Sequence, residues 1–184
     1  MAHTHAADFK ALRIAVLTVS DTRDLSTDSS GQLLVDALTT AGHQLADRAI
    51  VRDDIWQIRA RVCPWIAATD VEVILITGGT GFAQRDVTPQ AISPLIERSV
   101  DGFGELFRHI SFSDIVLSTM QSRALAGISN GTLICALPGS TNACRTAWEG
   151  ILLSQLDNRT RPCNFVPHLG SAQQPAAPLC DTRG

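Results

Sequence analysis

The chain predicts an α/β fold built on a mostly parallel sheet with helices on both faces. Three observations predict it. Short β-branched apolar runs recur along the sequence, each run ends in a polar or glycine-rich turn, and each turn leads into apolar residues at helical spacing. In such sheets ligands bind beyond the carboxyl ends of the strands, so residues just after each strand are the first candidates for function.

Arg13 to Ser20 (RIAVLTVS) reads as a buried strand, because it is apolar without alternation. Ser30 is positioned to cap the next helix, where Leu33, Leu34, Ala37 and Leu38 share a face before Gly42 ends it. Ala49 to Val51 is a short strand that runs out at Arg52, Asp53 and Asp54. A helix carrying Ile55, Ile58 and Val62 follows, and Pro64 is expected to end or kink it. Val71 to Thr77 is the strongest strand, with GGTG at 78–81 directly after it. Thr88-Pro89 has the form of a cap with proline at the first helical position. Residues 100–125 read as helix and loop. Thr132 to Leu137 is the last strand, closed by Pro138-Gly139-Ser140, and a final helix covers about 141–156 with Ala147, Trp148, Ile151 and Leu152 inward.

The 184 residues suit one domain, set at 12–169 between tails at 1–11 and 170–184. A formal charge of −3 argues against a nucleic-acid partner. No apolar run approaches the roughly 18–20 residues that cross a bilayer, and the first ten residues lack a signal-peptide pattern. A cytoplasmic protein with no membrane partner is the expectation. The five cysteines are scattered with no C-x-x-C pair, and the histidines show no ligand spacing. Trp56, Trp65 and Trp148 read as core or interface anchors.

The strand exits bring forward Ser20 and Asp21, then Asp53, then Thr77 to Gly81, then Pro138, Gly139 and Ser140. Gly78, Gly79 and Gly81 allow a tight turn and close approach of backbone to a ligand, while the Thr77 and Thr80 hydroxyls add donors. A phosphate or a pterin edge would suit such a loop; so would a ligand-free turn. It is neither a Walker A loop nor G-x-G-x-x-G, since position 84 is Gln. Asp86 either caps the Thr88 helix or joins Asp53 in holding Mg²⁺ on phosphates. Arg123, after Ser122, either pairs a phosphate or is a solvated arginine. Ser140 caps the last helix whatever else it does.

VSDTR at 19–23, DSSG at 28–31, ITGGTGFAQRDVTPQA at 76–91, SR at 122–123 and LPGST at 137–141 together resemble the MoaB/MogA molybdopterin-binding domain family, over residues 12–168. GFGELFRHISF at 102–112, STMQSRALAG at 118–127 and LDNRTRPCNFVPHL at 156–169 are most similar to its MoaB-type branch. The resemblance implies a three-layer α/β/α domain with one strand running against the others, assembled as a homo-oligomer, a trimer or hexamer. It implies adenylation of molybdopterin: ATP with Mg²⁺ supplies AMP to the terminal phosphate of the pterin side chain, and pyrophosphate leaves. Asp53 and Asp86 match the family's required aspartates, Thr80 a substrate-binding threonine, Ser122 and Ser111 pterin-binding serines, and Ser140 the last position of the PG[NS] turn. The competing expectation is a non-catalytic pterin-binding oligomer, in which Arg145, Trp148 and the 159–168 segment serve assembly.

Overall fold

A computed structural model describes residues 8–170 of the chain. The 1–7 and 171–184 parts of the expected tails, with His3, His5 and Cys180, lie outside the described residues. Residues 8–11 do not behave as a tail. The Lys10 N–H donates to Asn158 Oδ1 at 2.8 Å, Lys10 Nζ meets Glu72 at 2.9 Å, and the Arg159 guanidinium lies 5.0 Å over the Phe9 ring.

Strand β1 (Arg13–Val19) is buried at every position after Arg13, as an unalternated apolar run requires when both faces are covered. It pairs in parallel with β2 (Gln44–Val51) on one side and β3 (Val73–Thr77) on the other, and β6 (Thr132–Leu137) lies parallel beyond β3. β5 (Leu125–Ser129) returns antiparallel to β6 through Asn130-Gly131, both at positive φ, the geometry a two-residue hairpin turn needs. β4 (Arg98–Ser99) pairs antiparallel with β5, completing the order β2-β1-β3-β6-β5-β4. β5 is thus the strand that runs against the rest.

Period-2 alternation sorts the strand residues onto two cores. Ile14, Val16, Val73, Leu75, Leu133 and Cys135 face α1 (Ser29–Thr40), α4 (Asp101–Ile115) and the C-terminal helix through Leu34, Leu38, Phe103, Phe107, Trp148 and Leu152. Ala15, Leu17, Ile74, Ile76, Ile134 and Ala136 face α2 (Ile55–Ala67) and α3 (Thr88–Ile92) through Ile58, Val62, Trp65, Ala91 and Ile92. The result is the three-layer α/β/α domain.

Several local expectations are corrected. Asp28, not Ser30, caps α1: its Oδ1 accepts the Gly31 N–H at 2.9 Å, and Ser30 is buried in the first turn. β2 is eight residues rather than three, because it is an edge strand whose exposed Gln44 and half-buried Asp47 and Arg48 hide its pattern. β3 starts at Val73, two residues later than Val71. α2 runs through Pro64 to Ala67; the proline sits in the last turn, which Trp65 anchors in the core with its Nε1 on Asp47 at 3.1 Å. Thr88 begins α3 but caps nothing; its hydroxyl donates to the Gly78 carbonyl at 2.9 Å. After α4 a 3₁₀ segment spans Val116–Gln121. The last helix is composite: α5 (Thr141–Ala147), a π-helical turn over Trp148–Leu152, and α6 (Leu153–Gln155).

Candidate functional site

Because β1, β2, β3 and β6 are parallel neighbours, their carboxyl ends share one rim, and the residues leaving them line a cleft of about 590 Å³. Ser20 and Asp21 come from β1, Asp53 from β2, Thr77 to Gly81 and Asp86 from the loop after β3, and Pro138 and Gly139 from β6. The opposite wall is Ile115, Ser118, Gln121 and Ser122.

The glycine loop is shaped by what it must avoid. Gly78 (φ +104°) and Gly79 (φ +63°) occupy the left-handed region, which most side chains avoid. A Cβ on Gly79 would stand 2.7 Å and 2.8 Å from the two Asp53 carboxylate oxygens, and one on Gly81 would stand 2.6 Å from Asp86 Oδ2. Bare backbone therefore lets both carboxylates lie against the loop. Thr77 is fully buried, and its hydroxyl donates to the Pro138 carbonyl at 3.1 Å, tying the β3 exit to the β6 exit. Thr80 is buried too.

Asp53 Oδ1 accepts the Val87 N–H at 3.1 Å. Burial pushes its carboxyl above the ordinary carboxylate range, and the charge of Asp86 pushes the same way, against the Val87 bond and Arg123. Asp86 Oδ2 accepts the Ala83 N–H at 2.9 Å, and Asp86 does not cap α3, where Val87 stands at the cap position with no side-chain bond. Asp21 joins the strand exits: it accepts the Asp53 N–H at 3.3 Å and forms an ion pair with Arg85.

Three residues with expected ligand roles do not line the cleft. Ser111 is buried within α4. Ser140 caps α5, accepting the Ala143 N–H at 3.1 Å. Arg123 donates to the carbonyls of Thr80 (3.2 Å), Gly81 and Asp86 (2.7 Å) and lies 5.1 Å over the Phe82 ring. Its guanidinium clasps both ends of the loop that carries Asp86. Among the cleft-lining residues that sequence reasoning did not single out is Arg23, three positions beyond Ser20. Its place right after β1 was a usable signal; its partners Asp28 and Ser30 were not, since that contact depends on the packing of α1.

Among the described residues, no group of three or more His, Cys, Asp or Glu could hold a metal by itself. Two carboxylates, each with one oxygen committed to a backbone N–H, instead fit a hard cation whose remaining ligands come with a phosphate-bearing substrate. Asp53 and Asp86 are the residues that would hold it.

An α/β domain with a glycine-walled, two-carboxylate cleft at the carboxyl ends of its parallel strands belongs to the class whose ligand sites lie at that rim. The comparisons narrow the class. The sequence model of the family described as "Probable molybdopterin binding domain" matches residues 15–158. Molybdenum cofactor biosynthesis protein B of Escherichia coli (strain K12) is 56% identical over 164 residues, 89% of this chain and 96% of that one. The protein of that name from Staphylococcus aureus (strain COL) is 42% identical over 152 residues, 81% and 90% of the two chains. A crystal structure of a molybdenum cofactor biosynthesis protein B superposes with a TM-score of 0.78 at 42% identity, covering 80% of this chain and 92% of that one. The tungsten cofactor synthesizing protein MoaB from Pyrococcus furiosus gives 0.70 at 33%, covering 78% and 91%. This chain belongs to the molybdopterin-binding domain family.

Proposed function

We propose that the protein acts in molybdenum cofactor biosynthesis and adenylates molybdopterin with Mg²⁺ and ATP. The observation that carries this reading is the convergence of Asp53 and Asp86 on one glycine-walled cleft, close enough for the Asp86 charge to act on the Asp53 carboxyl. In the reaction a terminal phosphate oxygen of the pterin attacks the α-phosphorus of ATP, the bond to the bridging β-phosphate oxygen breaks, and pyrophosphate leaves. Mg²⁺ held there would supply neutralisation of the charge that builds on the phosphates.

The chain's own contribution is positional. Gly78 to Gly81 let the phosphates approach backbone, Asp53 and Asp86 keep an oxygen each for the cation, and Arg123 holds the loop between them in one shape. Ser122 and Ser118 line the facing wall, where the pterin would lie on this reading.

The test is to incubate the purified protein with molybdopterin, ATP and Mg²⁺ and to assay adenylated pterin and pyrophosphate, with Asp53→Ala alongside. Product from the native chain alone supports the reading. Pterin binding without product supports a non-catalytic pterin-binding oligomer instead. Assembly as a homo-oligomer, a trimer or hexamer, belongs to both readings. It is favoured by the exposed Phe112, Ile115, Val116, Leu117 and Met120 beside the cleft. Among the described residues no helix is long and apolar enough to cross a membrane.

A further inference from the structure

We propose that Arg23 forms a phosphate-monoester subsite at the β1–α1 wall of the cleft, separate from the carboxylate end where metal-bearing phosphates would sit. The monoester class of ligand rests on the adenylation reading; the anion subsite itself rests on the geometry and charge of this wall.

The turn after β1 sets the side chain in place. The N–H groups of Thr22 and Arg23 both donate to the Ser20 hydroxyl, at 3.3 Å and 3.2 Å, and the guanidinium reaches back to the start of α1. There Arg23 Nη1 donates to the Ser30 hydroxyl at 2.5 Å and the Gly139 carbonyl at 3.3 Å. All the hydrogen bonds of the guanidinium among the described residues fall on that one nitrogen. Among the described residues Nε and Nη2 have no partner, and these two share the edge of the guanidinium that grips two oxygens of one phosphate. The side chain is 34% exposed and borders the cleft.

Charge counting gives the same answer. Asp28 is the carboxylate nearest Arg23, and its side chain is fully buried. It is already satisfied by Arg48 at 3.0 Å, the Thr18 hydroxyl at 2.7 Å and the Gly31 N–H at 2.9 Å, with Arg23 farther off at 3.8 Å. Asp28 is held chiefly by Arg48, so it offsets the Arg23 charge only in part, and Arg23 is the member that lines the cleft. Arg85 is paired with Asp21, and Arg123 is spent on carbonyls. The facing loop carries Asp53 and Asp86 and is negative. A cleft positive at one wall and negative at the other suits two phosphate groups of different kinds: one bare, one that arrives with a cation.

The experiment is calorimetric titration of the full chain with inorganic phosphate and, separately, with Mg²⁺ and ATP. Native protein is compared with Arg23→Gln, Arg23→Lys and Arg52→Gln, the last testing the outer groove that Arg23 also borders. Because Asp28 keeps Arg48, the Arg23 variants should melt near the native temperature. The expected result is phosphate affinity down about tenfold in Arg23→Gln and less in Arg23→Lys, while Arg52→Gln and the affinity for Mg·ATP change by less than about threefold. Phosphate binding that is absent from the native chain, unchanged in Arg23→Gln, or lost in parallel with Mg·ATP binding overturns the subsite. If the native chain binds no Mg·ATP but Arg23→Gln still loses phosphate, the adenylation reading falls and the subsite stands.

Discussion

On the adenylation reading, Asp86 matters to the chemistry and hardly to the folding. Asn at position 86 keeps an oxygen to accept the Ala83 N–H, and no helix cap is lost, since Asp86 caps nothing. Asp86→Asn should therefore melt within about 2 °C of the native protein while adenylation falls about 100-fold or more, as loss of a key electrostatic group does. Asp53 makes the converse case. Its folded carboxyl is raised by burial and by Asp86, so the folded state holds its proton where the unfolded chain has lost it. The ionised group accordingly costs stability as pH rises through 3.8 to the raised folded value, and the full cost applies above it. Asp53→Asn should raise the melting temperature at pH 7 by about 1–2 °C and leave it unchanged at pH 3, which differential scanning calorimetry can check. Arg123 acts at one remove from ligand. Lys cannot span three carbonyls, so Arg123→Lys should speed amide exchange over 80–86 and lower kcat about tenfold with the pterin KM little changed.

Helix α1 is fastened to the sheet by one buried carboxylate. Asp28 caps the helix and accepts from Thr18 on β1 and Arg48 on β2, so cap, central strand and edge strand meet at a single group. Burial raises its pKa, but the Gly31 N–H, the Thr18 hydroxyl and Arg48 outweigh burial and hold it below the ordinary value. Its stabilisation is thus complete above about pH 4 and is lost as pH falls through the depressed folded value. Chemical denaturation from pH 2 to 6 should show a shallower acid loss in Asp28→Asn than in the native chain. Asp28→Ala should cost about 3–5 kcal/mol, because it leaves Arg48 largely buried without its partner. In α2, Pro64 is exposed and blocks one intrahelical bond, so Pro64→Ala should stabilise the protein by about 1–3 kcal/mol in the same experiment.

The whole molecule presents an apolar ridge on the segment that walls the cleft. Leu117 and Met120 are 72% and 75% exposed, and Ile115 and Ser118 beside them line the site. A ridge of this kind favours the homo-oligomer proposed above. Sedimentation at micromolar concentration should give a multiple of the chain mass, and Leu117→Glu with Met120→Glu should shift it toward a single chain.

Strand existence and the rim rule were legible in the sequence, because both are local. An apolar run such as Val73 to Thr77 and the glycines after it carry their conformation in their own residues. That placed Asp21, Asp53, Gly78 to Gly81, Asp86 and Gly139 at one end of the sheet before any geometry was known. What the tertiary structure alone decided is how each polar group divides its bonds between fold and cleft. Ser30 reads as the cap in sequence; Thr18 and Arg48, brought in by two different strands, fix Asp28 there instead. Arg123 and Arg23 look alike as cations near a loop. Packing β5 beside that loop spends Arg123 on carbonyls, whereas the turn at Ser20 leaves Arg23 one open edge. Side-chain type is written residue by residue, but hydrogen-bond satisfaction is a property of neighbours far apart in the chain, and only the folded arrangement settles it.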